Sequence, residues 1–172
     1  VDAGHEIASH GYRWIEYQYV PEEREREDMR LTIEVQERVT GFRPVGFYAG
    51  RASDNTRRLV VEEGGFLYDS DSYADDLPYW DTNFGRPHLV IPYSLECNDW
   101  QFETAAGFTS GQAYFQHLRD AFDVLYQEGE DVPKMMNIGL HCRLSGRPAL
   151  SAALARFLEH VRQHEKVWVC RR

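Results

Sequence analysis

Three residues suited to acid–base chemistry stand where predicted strands end. His10 follows the first predicted strand, Asp99 comes after the fourth, and His141 ends the fifth. A His side chain exchanges protons near neutral pH, and a carboxylate bonded to its ring fixes the orientation of that ring. Functional residues of α/β barrels gather at the carboxyl ends of strands. The pattern therefore predicts a His at the end of one strand, a carboxylate at the end of another and a His at the end of a third.

Each of these residues also has a purely structural interpretation. A single His after an apolar strand is more often a hydrogen-bonded part of the framework, and Asp99 could cap a turn. Cys142 follows His141 directly, but neighbouring residues of a strand face opposite sides, so a Cys–His nucleophilic pair is disfavoured. Residue types alone thus leave the reaction open.

The elements that must position these residues alternate between strand and helix patterns. Strands are predicted over residues 6–9, 45–48, 66–68, 88–91, 135–140 and 167–169. Helices are predicted over residues 21–39, with Gly41 just past the end, and from a cap at Ser53 or Asp54 to residue 63, closed by Gly64. Further helices are predicted over residues 110–128, with Ser110 as cap, and from Pro148 onward. Alternation of this kind predicts parallel strands with helices outside. A complete barrel needs about 250 residues, so an incomplete α/β barrel is expected.

Composition limits the classes of function. A net charge of −9 argues against a nucleic-acid surface, where a basic stripe is expected. No stretch approaches the roughly 18 apolar residues of a membrane-spanning helix, and three widely spaced cysteines indicate neither a disulfide framework nor a zinc knuckle. We expect one domain over residues 1–172, cytoplasmic, with a small-molecule substrate and no nucleic-acid or membrane partner. Without a start Met or a signal pattern, the chain is expected to begin inside that domain.

Several motifs, in order, resemble the NodB-homology family, the polysaccharide deacetylase superfamily. Gly4–His10 is similar to its GHEIxxH segment, Asn98–Trp100 to its Asp-Trp motif, and Leu140–His141 to its Leu-His motif. The stretch over residues 40–66 also follows the family pattern. The resemblance implies a distorted (β/α) barrel of this type, of which this chain is the C-terminal part, with the N-terminal strands outside it.

The resemblance also implies roles for individual residues. His10 corresponds to the first metal-ligand His, if a metal is bound. His141 corresponds to the general acid that protonates the leaving group, and Asp99 to the carboxylate that orients it. The family's Asp-Asp motif, which supplies a ligand and the catalytic base, is expected upstream, so the chain alone is expected to be inactive.

Two departures from the family pattern change the expected chemistry. The metal motif His-x-x-x-His ends here in Trp14, whose indole N–H cannot ligate a metal. Tyr48 stands where deacetylases carry an Arg, and Arg51 lies three residues further on. We therefore expect no cofactor, with zinc or another divalent metal reserved for the deacetylase alternative.

These departures resemble the PuuE-type allantoinase branch of the family, which opens the hydantoin ring of allantoin in urate catabolism. The similar segments are HGYRW, GFYAGR, DDLPYW and LHCRLSGRP. The resemblance implies that Trp14, Tyr48, Arg51 and Trp100 bind a planar cyclic amide. Members of the family often form homo-oligomers. Two alternatives remain open: a zinc-dependent N-deacetylase of chitin or peptidoglycan, and an inactive barrel that binds a sugar or metabolite.

Overall fold

Four parallel strands and one antiparallel strand form the sheet around which the N-terminal part of the chain folds. The computed structural model describes residues 3–172, and these fall into two units: residues up to Tyr93 with Cys170–Arg172, and Ser94–Val169. The strands of the first unit are β1 (Ala8–Ser9), β2 (Gly46–Phe47), β3 (Tyr68–Asp69), β4 (Tyr79–Asp81) and β5 (His88–Val90). Their order is β1-β2-β3-β5-β4, and only β4 runs antiparallel to its neighbour.

Close packing between β2 and β3 depends on a glycine. Gly46 pairs with Tyr68, and a Cβ built on Gly46 would lie 2.1 Å from Cζ of the Tyr68 ring. The Tyr68 hydroxyl then donates a 2.8 Å hydrogen bond to Glu6. The Tyr68 ring therefore occupies the space that any side chain at position 46 would need.

Two helices complete the first unit, α1 (Glu22–Thr40) and α2 (Thr56–Glu63). Each ends at a glycine in the left-handed conformation, Gly41 at φ 76° and Gly64 at φ 91°, as the sequence predicted. The predicted cap of α2 was wrong, because the N-cap residue is Asn55, while the Ser53 hydroxyl donates to Glu25 of α1 at 2.6 Å. Apolar residues of both helices pack with the sheet in one core: Tyr17, Met29, Ile33, Phe47, Ala49, Leu59, Val60 and Phe66.

The second unit is helical, with α3 (Gly111–Glu128), the short α4 (Cys142–Ser145) and α5 (Pro148–Val161). The predicted cap holds, since Ser110 Oγ accepts a 3.1 Å hydrogen bond from the Ala113 amide. A single-turn 3-10 helix, Asp99–Glu103, precedes α3. The core of this unit lies between α3 and α5 and includes Tyr114, Leu118, Phe122, Ala153, Phe157 and Val161.

Two of the predicted strands are absent. Residues 135–140 and 167–169 carry no strand in the part of the chain that is described. A strand needs a series of backbone hydrogen bonds to a neighbouring strand. Over residues 135–140 the Gly139 carbonyl accepts one backbone hydrogen bond, from the Asp99 amide at 3.0 Å, and one bond does not make a strand. Conversely, β4 was not predicted, because its Tyr-Trp-Asp run is too short to show a strand period.

The described residues 3–172 include no helix that is both long and apolar enough to cross a lipid bilayer. The predicted α/β class with a parallel sheet is confirmed. One domain over residues 1–172 stays a prediction.

Candidate active site

The imidazole of His141 is held by the carboxylate of Asp99. Nδ1 of His141 lies 2.6 Å from Oδ1 of Asp99, and the His141 backbone amide donates to Oδ2 at 2.7 Å. Asp99 is fully buried, whereas 34% of the His141 side chain is exposed. The carboxylate thus accepts hydrogen bonds from both the ring and the backbone of His141, and part of the His141 side chain is exposed to solvent.

Helix α4 supplies the other donors to this carboxylate. Ser145 bonds Oδ2 of Asp99 twice, through its hydroxyl at 2.6 Å and its backbone amide at 3.2 Å. Burial by itself would raise the pKa of Asp99, but the hydrogen bonds from the His141 amide, the Ser145 hydroxyl and the His141 ring outweigh it. They hold the pKa of Asp99 below its ordinary value, so Asp99 is a carboxylate at neutral pH.

This arrangement fixes which ring nitrogen is free for chemistry. A carboxylate can only accept a hydrogen bond, so Nδ1 of His141 carries a proton and donates a hydrogen bond to Asp99. The exposed Nε2 is then the atom that can give or take a proton. The structure thus brings Asp99 and His141 together, and Trp100 follows Asp99 in the same 3-10 helix with 44% of its surface exposed.

The remaining predicted site residues lie in the first unit and form two contacting pairs. The ring of His10 lies 5.2 Å from that of Tyr48, which stacks on Tyr93 at 4.5 Å. The guanidinium of Arg51 lies 4.2 Å from the centre of the Trp14 ring. Burial, followed by the hydrogen bond between the Tyr48 and Tyr73 hydroxyls, raises the pKa of Tyr48, which therefore stays protonated.

Arg51 already has an anionic partner, because its guanidinium lies 2.6 Å from a carboxylate oxygen of Glu16. Trp14 is 65% exposed, so one face of the indole is covered by Arg51 while much of the ring is open. A flat ligand could stack there, but Arg51 would have to share its donors with Glu16.

The residues present do not by themselves form the metal site of the deacetylase pattern. Trp14 offers only an N–H donor. Within residues 3–172, the single group of three His or carboxylate ligands close enough to hold an ion is Asp123, His160 and His164, which does not include His10. Any metal at His10 would need further ligands from other residues.

Sequence reasoning missed two polar groups. Ser145 carried no signal except its position four residues after His141, one helical turn away. Asp71 accepts hydrogen bonds from the amides of Ala49 and Gly50 at 2.7 and 2.8 Å, and its burial raises its pKa to about 6. Arg57 bonds both oxygens of Asp69, and it lines a cavity of about 210 Å³ together with Asp71.

Several known proteins are similar to this chain, although no family model matches it. A Schizosaccharomyces pombe protein named "Putative polysaccharide deacetylase" is 43% identical over 188 residues, which cover 99% of this chain and 59% of that protein. Two crystal structures are each 60% identical to this chain, and each match covers 99% of this chain and 57% of the chain in the crystal structure. They are Puue allantoinase, with a TM-score of 0.95, and a "probable Polysaccharide deacetylase" from Pseudomonas aeruginosa PAO1, at 0.94.

The fold is the α/β fold of NodB-type proteins, and the chain is similar to members of the polysaccharide deacetylase superfamily. Within it, the chain is similar to Puue allantoinase over nearly its whole length. It spans less than two thirds of the S. pombe protein and of the two crystal structures.

Proposed function

We propose that this protein hydrolyses a C–N bond other than a peptide bond, with His141 as general acid and Asp99 as the residue that positions it. The carrying observation is the 2.6 Å contact between Nδ1 of His141 and the buried Asp99 carboxylate. A carboxylate of this kind orients the ring and stabilises its protonated form. Nε2–H can then point toward a leaving nitrogen.

The step is an ordinary amide hydrolysis. Water adds through its oxygen to the carbonyl carbon, and the C–N bond breaks. The proton on Nε2 of His141 passes to the departing nitrogen, while the proton lost by water passes to a base. The family resemblance assigns that base to the Asp-Asp motif, not to any residue discussed above.

We propose allantoin as the substrate, opened to allantoate. Support comes from the 60% identity to Puue allantoinase and from Trp14 in place of a metal-ligand His. A planar ring carrying several carbonyl groups suits aromatic faces and guanidinium donors. The assignments of Trp14, Tyr48, Arg51 and Trp100 to substrate binding stay predictions.

N-deacetylation of an amino sugar is the second candidate. The P. aeruginosa structure, a "probable Polysaccharide deacetylase", is also 60% identical in sequence to this chain, and the S. pombe protein is named a putative polysaccharide deacetylase. The same acid would protonate the amine released from an acetamido group. A divalent metal bound by His10 and by ligands outside the residues discussed would supply Lewis acidity in that case.

One experiment separates these proposals. The whole natural protein is assayed with allantoin and with an N-acetylglucosamine oligosaccharide, before and after chelator treatment. We expect ring opening of allantoin that survives chelation. Deacetylation alone, rescued by zinc, would overturn the choice of substrate.

The role of His141 is tested in the same assays. His141→Ala should lower kcat roughly 10²- to 10⁴-fold, the usual contribution of a general acid, with a much smaller change in KM. His117→Ala, a His change on α3 in the same unit, is the matched control and should retain activity. Full activity of the His141 variant would remove its catalytic role.

A further inference from the structure

A cluster of two His residues and one Asp lies between α3 and the end of α5, on other elements than Asp99 and His141. Asp123 belongs to α3, His160 to the last turn of α5, and His164 to the turn that follows. One ligand atom from each side chain lies within 4.8 Å of the other two. None of the roles proposed above uses these residues.

Hydrogen bonding leaves Nε2 of His164 as its acceptor atom. Nδ1 of His164 lies 2.9 Å from the backbone carbonyl of His160. A carbonyl can only accept, so Nδ1 carries the proton and Nε2 keeps its lone pair. A His that donates one nitrogen to a backbone carbonyl and presents the other is the usual arrangement of a metal ligand.

Aromatic packing restricts the two imidazole rings. The His164 ring meets Phe122 and Tyr126 edge to face, with centres 5.0 and 4.7 Å apart, and the His160 ring at 4.7 Å. Phe122 belongs to the buried core of this unit. The rings are therefore oriented before any ligand arrives, which lowers the entropic cost of binding.

Nε2 of His160 lies 2.6 Å from Oδ1 of Asp123. Without an ion, this nitrogen carries a hydrogen and donates a hydrogen bond to the carboxylate. Zinc bound at Nε2 would displace that hydrogen, which exchanges through solvent so that the one ring proton of the neutral imidazole lies on Nδ1. Zinc bonds of about 2.0–2.2 Å place tetrahedral ligands about 3.3 Å apart, so the pair must open slightly while His164 moves closer.

We propose that Asp123, His160 and His164 bind one divalent transition-metal ion that ties the end of α5 to α3. Two imidazole nitrogens and one carboxylate oxygen leave a fourth position for water, as in known three-ligand zinc sites. Imidazole ligands favour zinc, copper or nickel over calcium and magnesium, which prefer oxygen. This site is distinct in its residues from any metal at His10.

Zinc itself is the probe. The whole protein is stripped with a chelator and titrated with zinc against a chromogenic competitor, for the wild type and for Asp123→Asn and His164→Gln. Both substitutions nearly preserve side-chain size. We expect each variant to bind one zinc fewer per chain, or at least tenfold more weakly, and to lose the zinc-dependent rise in Tm that the wild type shows.

Two control variants locate the site. His117→Gln changes another His of α3, whose ring lies 3.0 Å from the Glu96 carbonyl, and should keep both zinc and the Tm rise. His10→Gln removes the family's predicted ligand and should also keep this zinc. Equal zinc binding by the wild type and both cluster variants would overturn the proposal, as would zinc loss confined to His10→Gln.

A measurement on the wild type guards against misfolded variants. Cobalt(II) bound to a four-coordinate site of nitrogen and oxygen ligands gives visible d–d absorption, which zinc should abolish by competition. Absence of that absorption in wild-type protein saturated with cobalt would overturn the proposal without any variant.

Discussion

Replacing Asp99 by Asn tests the positioning of His141 most directly, because the change removes a charge and almost no volume. Three donors converge on Oδ2: the His141 amide at 2.7 Å, the Ser145 hydroxyl at 2.6 Å and the Ser145 amide at 3.2 Å. The Asn oxygen is expected at that position, since burial makes unsatisfied donors costly. The Asn NH₂ then faces Nδ1 of His141, where two donors meet.

The ring must respond by placing its proton on Nε2 and its lone pair on Nδ1. His141 then loses the carboxylate that stabilises its doubly protonated form. A hydrogen bond to a charged group contributes about 1.5–3 kcal/mol. At about 1.4 kcal/mol per factor of ten, kcat should fall roughly 10- to 150-fold.

The assay is steady-state hydrolysis of whichever substrate proves active, with kcat and KM determined across pH. KM should change little, because proton donation matters mainly in the transition state. The matched control is Glu103→Gln, the same change at an exposed position of the same 3-10 helix, and it should keep wild-type kcat. A folded Asn variant with wild-type kcat would refute the positioning role, and a change confined to KM would place Asp99 in substrate binding instead.

Three further predictions concern stability and pH. Ser145→Ala removes a donor to a buried carboxylate and should lower the free energy of unfolding by about 1.5–3 kcal/mol, measured by urea denaturation; an unchanged midpoint would contradict it. Gly46→Ala should cost about 1–3 kcal/mol or more through overpacking against Tyr68, and Gly46→Ala with Tyr68→Leu should recover part of it, failing which the clash is not the cause. Asp71, whose pKa is raised from 3.8 to about 6, binds its proton more tightly when folded, so its contribution to stability falls as pH rises through that window. The stability difference between wild type and Asp71→Asn should therefore vary between pH 4 and 6, and a constant difference would contradict the shift.

Local signals were the ones that sequence could supply. Ser110, Gly41 and Gly64 mark helix ends through their own side chain or backbone freedom, and the structure has helix ends at all three. Ser53 looks like a helix cap too, but Glu25 is a distant acceptor that only folding brings near. Strand prediction failed for a similar reason over residues 135–140, because strand formation depends on a neighbour that no local pattern specifies.

The candidate site also combines residues that a sequence motif indicated with contacts that depend on distant parts of the chain. Asp99 and His141 stand 42 positions apart, and their pairing was expected only because the order of motifs resembled a known family. Ser145 completes the pair through the fold of α4, a contact for which no motif was available. Arg51 was predicted to bind the substrate, and its ion pair with Glu16 could not be inferred from spacing.

The hydrogen bonds to Asp99 join His141, the proposed general acid, to α4, the shortest α-helix of the described residues. Four residues make a helix far too short to persist alone in water, and α4 is held where Ser145 reaches the Asp99 carboxylate. A local opening of α4 would remove the two Ser145 donors to Asp99. The two hydrogen bonds from the His141 ring and amide would then be the ones left to hold the carboxylate. Opening of this one turn would therefore lower the proposed activity while the cores of both units stay folded, and that activity would report on a local equilibrium and not on global unfolding.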